Sequence, residues 1–169
     1  IELNEKYRFI KRNNKLLDIG AYPGGWSQVS SKIISSGKIL SIDIKKMDEL
    51  KNVSFLQCDF LQESTKEKIL NFFGEELDVV LSDMAADTTG NKSLDCIRTN
   101  KLCADVVEFS SKILKPNGIL VSKLFMGDDF LEVKELAKSK FKKVEFFKPE
   151  ASRSESKETY IHCAILKTL

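Results

Sequence analysis

Histidine is almost missing from this chain: of 169 residues only one, His162, is histidine. That scarcity all but excludes a Ser/His/Asp triad and a histidine-rich metal centre, and no metal is expected. Tryptophan also occurs once, as Trp26, and proline three times. The four cysteines, Cys58, Cys96, Cys103 and Cys163, form no Cys-x-x-Cys pair. They read as reduced thiols of a cytoplasmic protein rather than as disulfides or a zinc site. No apolar run approaches the ~20 residues that cross a membrane, and no signal peptide is visible. Charge of one sign does not dominate either, since 27 Lys and Arg against 25 Asp and Glu leave +2. Such a balance does not demand a polyanionic partner, although local patches could still serve one. Internal repeats, low-complexity segments and any device for oligomerisation are absent, so a monomer is expected.

What remains is an ordinary globular composition, 42% hydrophobic and 31% charged, of a length that suits one α/β domain with a sizeable core. A single domain over residues 1–169 is expected. The chain begins at Ile1 without a methionine, and the expectation is that its natural N-terminus lies upstream. Apolar periodicity predicts helices at 1–12, 26–36, 65–73, 96–114 and 129–140. Strands are predicted at 15–19, 38–44, 53–56, 77–82, 119–125, 144–147 and 159–166. Gly37 reads as the stop of the second helix, and Pro116-Asn117-Gly118 as the stop of the fourth. The polar stretch 87–95 reads as a loop. The last two strands are too close together for a helical crossover and should pair antiparallel.

Everything is arranged around Leu16-Leu17-Asp18-Ile19-Gly20-Ala21-Tyr22-Pro23-Gly24-Gly25-Trp26-Ser27. There, an apolar strand enters a glycine-rich turn and then a helix, as at the first nucleotide-binding turn of a doubly wound sheet. Alternating strands and helices imply a mostly parallel sheet with helices on both faces and ligands at the carboxyl ends of the strands. Three acids sit at such ends. Asp43 lies 23 residues after Gly20, near the spacing at which an acid takes ribose hydroxyls. Asp59 could meet an adenine edge, and Asp83 lies near the ligand's reactive end. Any one of them could equally be a cap or turn residue. The loop is neither Gly-x-Gly-x-x-Gly nor a P-loop. Together with the terminal antiparallel hairpin, this favours a Rossmann-like S-adenosylmethionine-dependent methyltransferase fold over a dinucleotide-binding one.

Asp18-Ile19-Gly20-Ala21-Tyr22-Pro23-Gly24-Gly25-Trp26-Ser27-Gln28 resembles the opening motif of the FtsJ/RrmJ (RlmE) family of ribose 2′-O-methyltransferases. Further similar stretches follow in the family's order: Phe55–Phe60, Leu81–Ala85, Val121–Phe125, Lys148–Ser154 and Lys157–Ile161. The resemblance spans essentially the whole chain. It implies S-adenosylmethionine as cofactor, held by Gly20, Pro23, Gly24, Gly25, Trp26, Asp43, Asp59 and Asp83. The substrate it implies is a ribose, a uridine in bacterial members, of large-subunit ribosomal RNA within the large subunit. A Lys-Asp-Lys-Glu catalytic set is also implied, with Asp83, Lys123 and Glu158 as its last three members and the first Lys upstream of Ile1. Two departures stand out: Tyr22 occupies a position that is usually small, and Ala86-Asp87-Thr88-Thr89-Gly90 replaces the commoner Pro-Asn-x-Ser-Gly. Transfer RNA or an mRNA cap remain alternative substrates, as does a catalytically silent RNA-binding role.

A ribose hydroxyl is a weak acid, so its methylation gains from a positioned base. Lys123 is the candidate, because a lysine inside the apolar run 119–125 is partly desolvated and its pKa lowered. Asp83 opposes that shift and would orient it, and Glu158 would complete the network. The bland reading of Lys123 is a strand-end lysine reaching solvent. Lys142, Lys143, Lys148, Arg153 and Lys157 suit phosphates, but Glu145, Glu150, Glu155 and Glu158 dilute them. Trp26 after Gly-Gly and the phenylalanines Phe72, Phe73, Phe109, Phe125, Phe146 and Phe147 read first as packing. S-adenosylmethionine, and not NAD, should raise the melting temperature; stabilisation by NAD alone would overturn the reading.

Overall fold

The computed structural model describes residues 1–150 and 152–168; Ala151, within one of the motifs above, and Leu169 lie outside them. The elements run α1 (Glu2–Tyr7), β1 (Lys15–Ile19), α2 (Gly25–Ile33), β2 (Lys38–Asp43), β3 (Ser54–Gln57), α3 (Glu63–Phe73), β4 (Leu77–Ser82), α4 (Lys92–Ile113), β5 (Leu114–Phe125), α5 (Phe130–Lys140), β6 (Phe141–Phe147) and β7 (Glu158–Leu166). They build the expected seven-stranded sheet, in the order β3-β2-β1-β4-β5-β7-β6. Pairing is parallel from β3 to β5, while β7 lies antiparallel between β5 and β6.

Strand side chains alternate between faces, and the alternation sorts the core in two. Leu17, Ile19, Leu40, Ile42 and Leu120 point towards α3, α4 and α5, where they meet Ile69, Val106, Val107 and Ala137. Leu16, Ile39, Val79, Leu81 and Val121 point the other way, towards Leu3 of α1 and Ile34 just beyond α2. Five of the six phenylalanines follow the packing reading: Phe73 and Phe109 are buried in the first layer, Phe72 and Phe146 pack on it, and Phe147 packs on the second, while the half-buried Phe125 belongs to neither layer. The sole histidine, His162, is buried on the α1 side of β7 with the Tyr7 ring stacked on it at 4.0 Å. Burial holds its pKa below the usual histidine value, and neither ring nitrogen has a hydrogen-bond partner among the described residues.

Several boundaries differ from expectation, each for a local reason. Helix α1 ends at Tyr7 because Arg8 takes a left-handed conformation with φ 47°; Phe9 and Ile10 are then buried in the connection to β1. Helix α4 begins four residues earlier than predicted, where the Asn91 side chain caps it by accepting the Leu94 N–H at 3.1 Å. Strand β5 starts directly at Leu114. Its Pro116-Asn117-Gly118 falls at a register shift opposite Leu77 and Val79, where a residue without an N–H is tolerated.

Helix α2 stops at Ile33, so Gly37 is not its terminator. A Cβ at Gly37 would lie 1.9 Å from the Asn14 carbonyl oxygen, so glycine is needed there for close backbone approach. Gly74, with φ 68°, has open space around its missing Cβ. Gly37→Ala should therefore lower the urea-unfolding free energy by about 2 kcal/mol or more, against about 1 kcal/mol for Gly74→Ala. The reverse ranking would refute the assignment.

Candidate active site

The carboxyl end of β1 runs straight into Gly20, which has φ 70°, and a Cβ there would come within 2.8 Å of Met84 Cγ and 2.9 Å of its backbone nitrogen. Only glycine meets both conditions, and this lets the turns after β1 and β4 lie side by side. The following peptide, Tyr22–Pro23, is cis.

Two carboxylates hold this turn. Asp43, at the end of β2, accepts the Tyr22 N–H at 2.9 Å and the Lys45 N–H at 2.8 Å. Asp18, wholly buried in β1, accepts the Ser27 hydroxyl at 2.6 Å, and Ser27 Oγ also meets Ser41 Oγ at 2.7 Å. The first turn of α2 is thereby tied to β1 and β2. Burial pushes Asp18 from its ordinary 3.8 up to about 7, with Asp83 and Asp43 adding to the rise and the Ser27 hydrogen bonds opposing it.

Two clefts open beside the turn. The larger, of about 740 Å³, is lined by Ile19, Gly20, Ile42, Asp43, Asp59, Phe60, Asp83 and Met84 among others. It joins apolar walls to three carboxylates at successive strand ends, an acceptor set that suits a nucleoside carrying hydroxyls, an amino group and a positive charge. The second, of about 590 Å³, lies on the other side of the turn and is walled by Ile1, Glu2 and Leu3, with Trp26, Pro149 and Tyr160. Gly20, Tyr22 and Asp83 line both.

Next to Asp83 the antiparallel pair contributes the remaining groups. Lys123 stands opposite Tyr160 and Phe125 opposite Glu158 in the β5–β7 register, which puts Lys123, Tyr160 and Glu158 on one face of the sheet. Lys123 Nζ lies 3.1 Å from Asp83 Oδ1 and 3.5 Å from Glu158 Oε2, and its side chain is 14% exposed. The Tyr160 hydroxyl donates to the same Asp83 oxygen at 2.8 Å. Burial foremost, and then Asp83, push the Tyr160 pKa upward, so the phenol stays a donor.

The structure thus gathers Asp83, Lys123 and Glu158, and places Gly20, Asp43 and Asp59 around the larger cleft. Pro23, Gly25 and Trp26 line the second cleft instead, and Trp26 also packs near Phe9 at 6.3 Å. Gly24 lines neither cleft; its missing Cβ faces Met47 and Leu50. Tyr160 carries no role in the sequence reading. Its place two residues after Glu158 on a strand was the available signal. Lys148 is spent internally, donating to the Ser154 and Ser156 carbonyls across the β6–β7 connection. Among the described residues, no cluster of His, Cys, Asp and Glu is placed to hold a metal ion, and no helix is long and apolar enough to cross a membrane.

A glycine turn at the first crossover, acids at consecutive strand ends and an antiparallel final strand define the Rossmann-like methyltransferases that use S-adenosylmethionine. The family model for FtsJ-like methyltransferase matches residues 1–166, and the chain belongs to that family. It is 44% identical over 167 residues to Ribosomal RNA large subunit methyltransferase E of Pelagibacter ubique, covering 99% of this chain and 82% of that protein. The protein of the same name from Rickettsia akari is also 44% identical, over 95% of this chain and 74% of that one. Among solved structures, one from Plasmodium falciparum assigned to the ribosomal RNA methyltransferases superposes with a TM-score of 0.87 at 30% identity, covering 98% of this chain and 93% of that one. Human Methyltransferase-like protein 13 in complex with SAH superposes with a TM-score of 0.66 at 16% identity, over 90% and 72% of the two chains, a likeness of fold.

The Asp18 linkage gives a pH test. A carboxyl whose pKa is raised by folding holds its proton more tightly when folded. Its cost to stability is absent below the unfolded value of 3.8, grows as pH rises, and is complete above about 7. Asp18→Asn should therefore gain steadily on the parent protein in urea-unfolding free energy between those two pH values. A difference independent of pH would show that Asp18 does not titrate in this window.

Proposed function

We propose that this protein transfers a methyl group from S-adenosylmethionine to a ribose 2′-hydroxyl of large-subunit ribosomal RNA, the substrate class its curated relatives' names print. The observation that carries the reading is the convergence of Lys123, Glu158 and Tyr160 around Asp83, the carboxylate that lines both clefts. One cleft takes the methyl donor and the other the RNA.

When bound, S-adenosylmethionine supplies an electrophilic methyl carbon on a sulfonium. The residues of the chain position the acceptor and manage its proton. Lysine Nζ has three hydrogen-bonding positions. Asp83 and Glu158 take up two, and the third is left for the ribose oxygen. In its neutral form the lysine presents a lone pair there and takes the 2′-proton as the new carbon–oxygen bond forms. The Asp83 carboxylate, fixed by Tyr160 and Lys123, would offset the donor's positive charge. Asp43 and Asp59 would accept from its ribose hydroxyls and its adenine amino group. Alignment of acceptor with donor supplies most of the acceleration.

Radiolabelled methyl transfer to undermethylated large ribosomal subunits tests this. The parent protein should label the large-subunit RNA, and Lys123→Ala should lower the rate by about 10²- to 10⁴-fold while still binding S-adenosylhomocysteine. Label on transfer RNA or capped RNA instead would move the substrate assignment. No label on any RNA, with cofactor binding intact, would favour a silent RNA-binding role.

A further inference from the structure

The ridge between the two clefts carries Tyr22, whose ring has no place in either core layer and is 48% exposed. Its backbone is not loose, because the N–H is held on Asp43. The other Asp43 oxygen holds the N–H of Lys45, and the Lys45 ammonium stands over the Tyr22 ring, 5.3 Å from its centroid. A single carboxylate thus anchors the backbone of the aromatic residue and of the lysine above it; Tyr22 and Asp83 line both clefts, and Lys45 lines the larger. Water gains nothing from a half-bare ring, and a packing role would have drawn it into the core. An anchored aromatic next to a ribose site, with a cation in reach, has the chemistry of a platform for an unstacked base and the phosphate attached to it.

We propose that Tyr22 stacks a nucleobase of the RNA substrate beside the nucleotide whose ribose is methylated, and that Lys45 takes a backbone phosphate at the same place. This rests on the RNA-methyltransferase reading above and adds a contact that helps choose the target. The Lys45 ammonium takes one face of the ring, so the base would stack on the other, with the cation at hand for its phosphate. The rival role for Tyr22 is a cover over the cofactor, and that role would appear in cofactor affinity.

The test compares Tyr22→Ala and Tyr22→Phe with the parent protein. The readouts are KM for undermethylated large ribosomal subunits and Kd for S-adenosylhomocysteine. Tyr22→Ala should raise KM about tenfold, the loss of one stacked base, more than it changes kcat. Tyr22→Phe should restore the parent KM, and cofactor affinity should stay put in both. Lys45→Gln should flatten the dependence of KM on salt by about one counterion. An unchanged KM in Tyr22→Ala, or a matching loss of S-adenosylhomocysteine affinity, overturns the proposal. Absence of turnover by the parent protein would be a failure of the underlying reading instead. In that event, fluorescence of a uridine-rich RNA oligonucleotide carrying 2-aminopurine decides: quenching lost in Tyr22→Ala supports the platform, and equal quenching refutes it.

Discussion

Strand β7 runs against β5 in a register that sets Lys123 opposite Tyr160, and the candidate chemistry depends on that pairing. Asp83 arrives from β4 and Lys123 from β5, two parallel neighbours. The third and fourth groups, Glu158 and Tyr160, come from a strand threaded backwards between β5 and β6. A slip of one residue would turn Glu158 and Tyr160 to the opposite face. The packing of both faces of β7 prevents it: Ile161 and Cys163 are buried in one layer and Tyr160 in the other. The same hydrophobic alternation that stabilises the strand therefore aims its polar side chains.

Around the glycine turn, carboxylates do work that is usually left to backbone geometry. Asp43 grips the turn from β2, and Asp18 grips the start of α2 from beneath. A buried carboxyl with one oxygen lacking a partner is costly unless it keeps its proton, which is the direction in which Asp18 is driven. The start of α2 is thus held by a group whose own environment opposes its charge, a pattern common at functional sites.

Much of this could be read in the residues beforehand. The apolar runs at 15–19, 38–44, 77–82 and 119–125 announced parallel strands, and Lys123 inside the last of them stood out by its charge. Asp83 and Glu158 followed from the motifs. What escaped was whatever depends on elements meeting in space. The hydroxyl of Tyr160 on Asp83 depends on strand register, and the need for glycine at 37 on a neighbouring carbonyl. The division of the glycine turn between two clefts depends on which way a few peptides face. Local chemistry was missed as well: Asn91 is an ordinary helix cap, and Pro116 sits in a strand because a register shift receives it.

The two sides of the site are unequally secured. The larger cleft rests on strand ends belonging to a continuous hydrogen-bonded sheet. One wall of the second is α1, which lies outside that sheet. It is held by the burial of Leu3, the Tyr7–His162 stack and the Glu150 N–H, which donates to Glu2 Oε2 at 2.9 Å, among other contacts. In the language of hydrogen exchange, a wall outside the sheet opens before the strands within it. Access to the second cleft can therefore widen while the larger one keeps its shape.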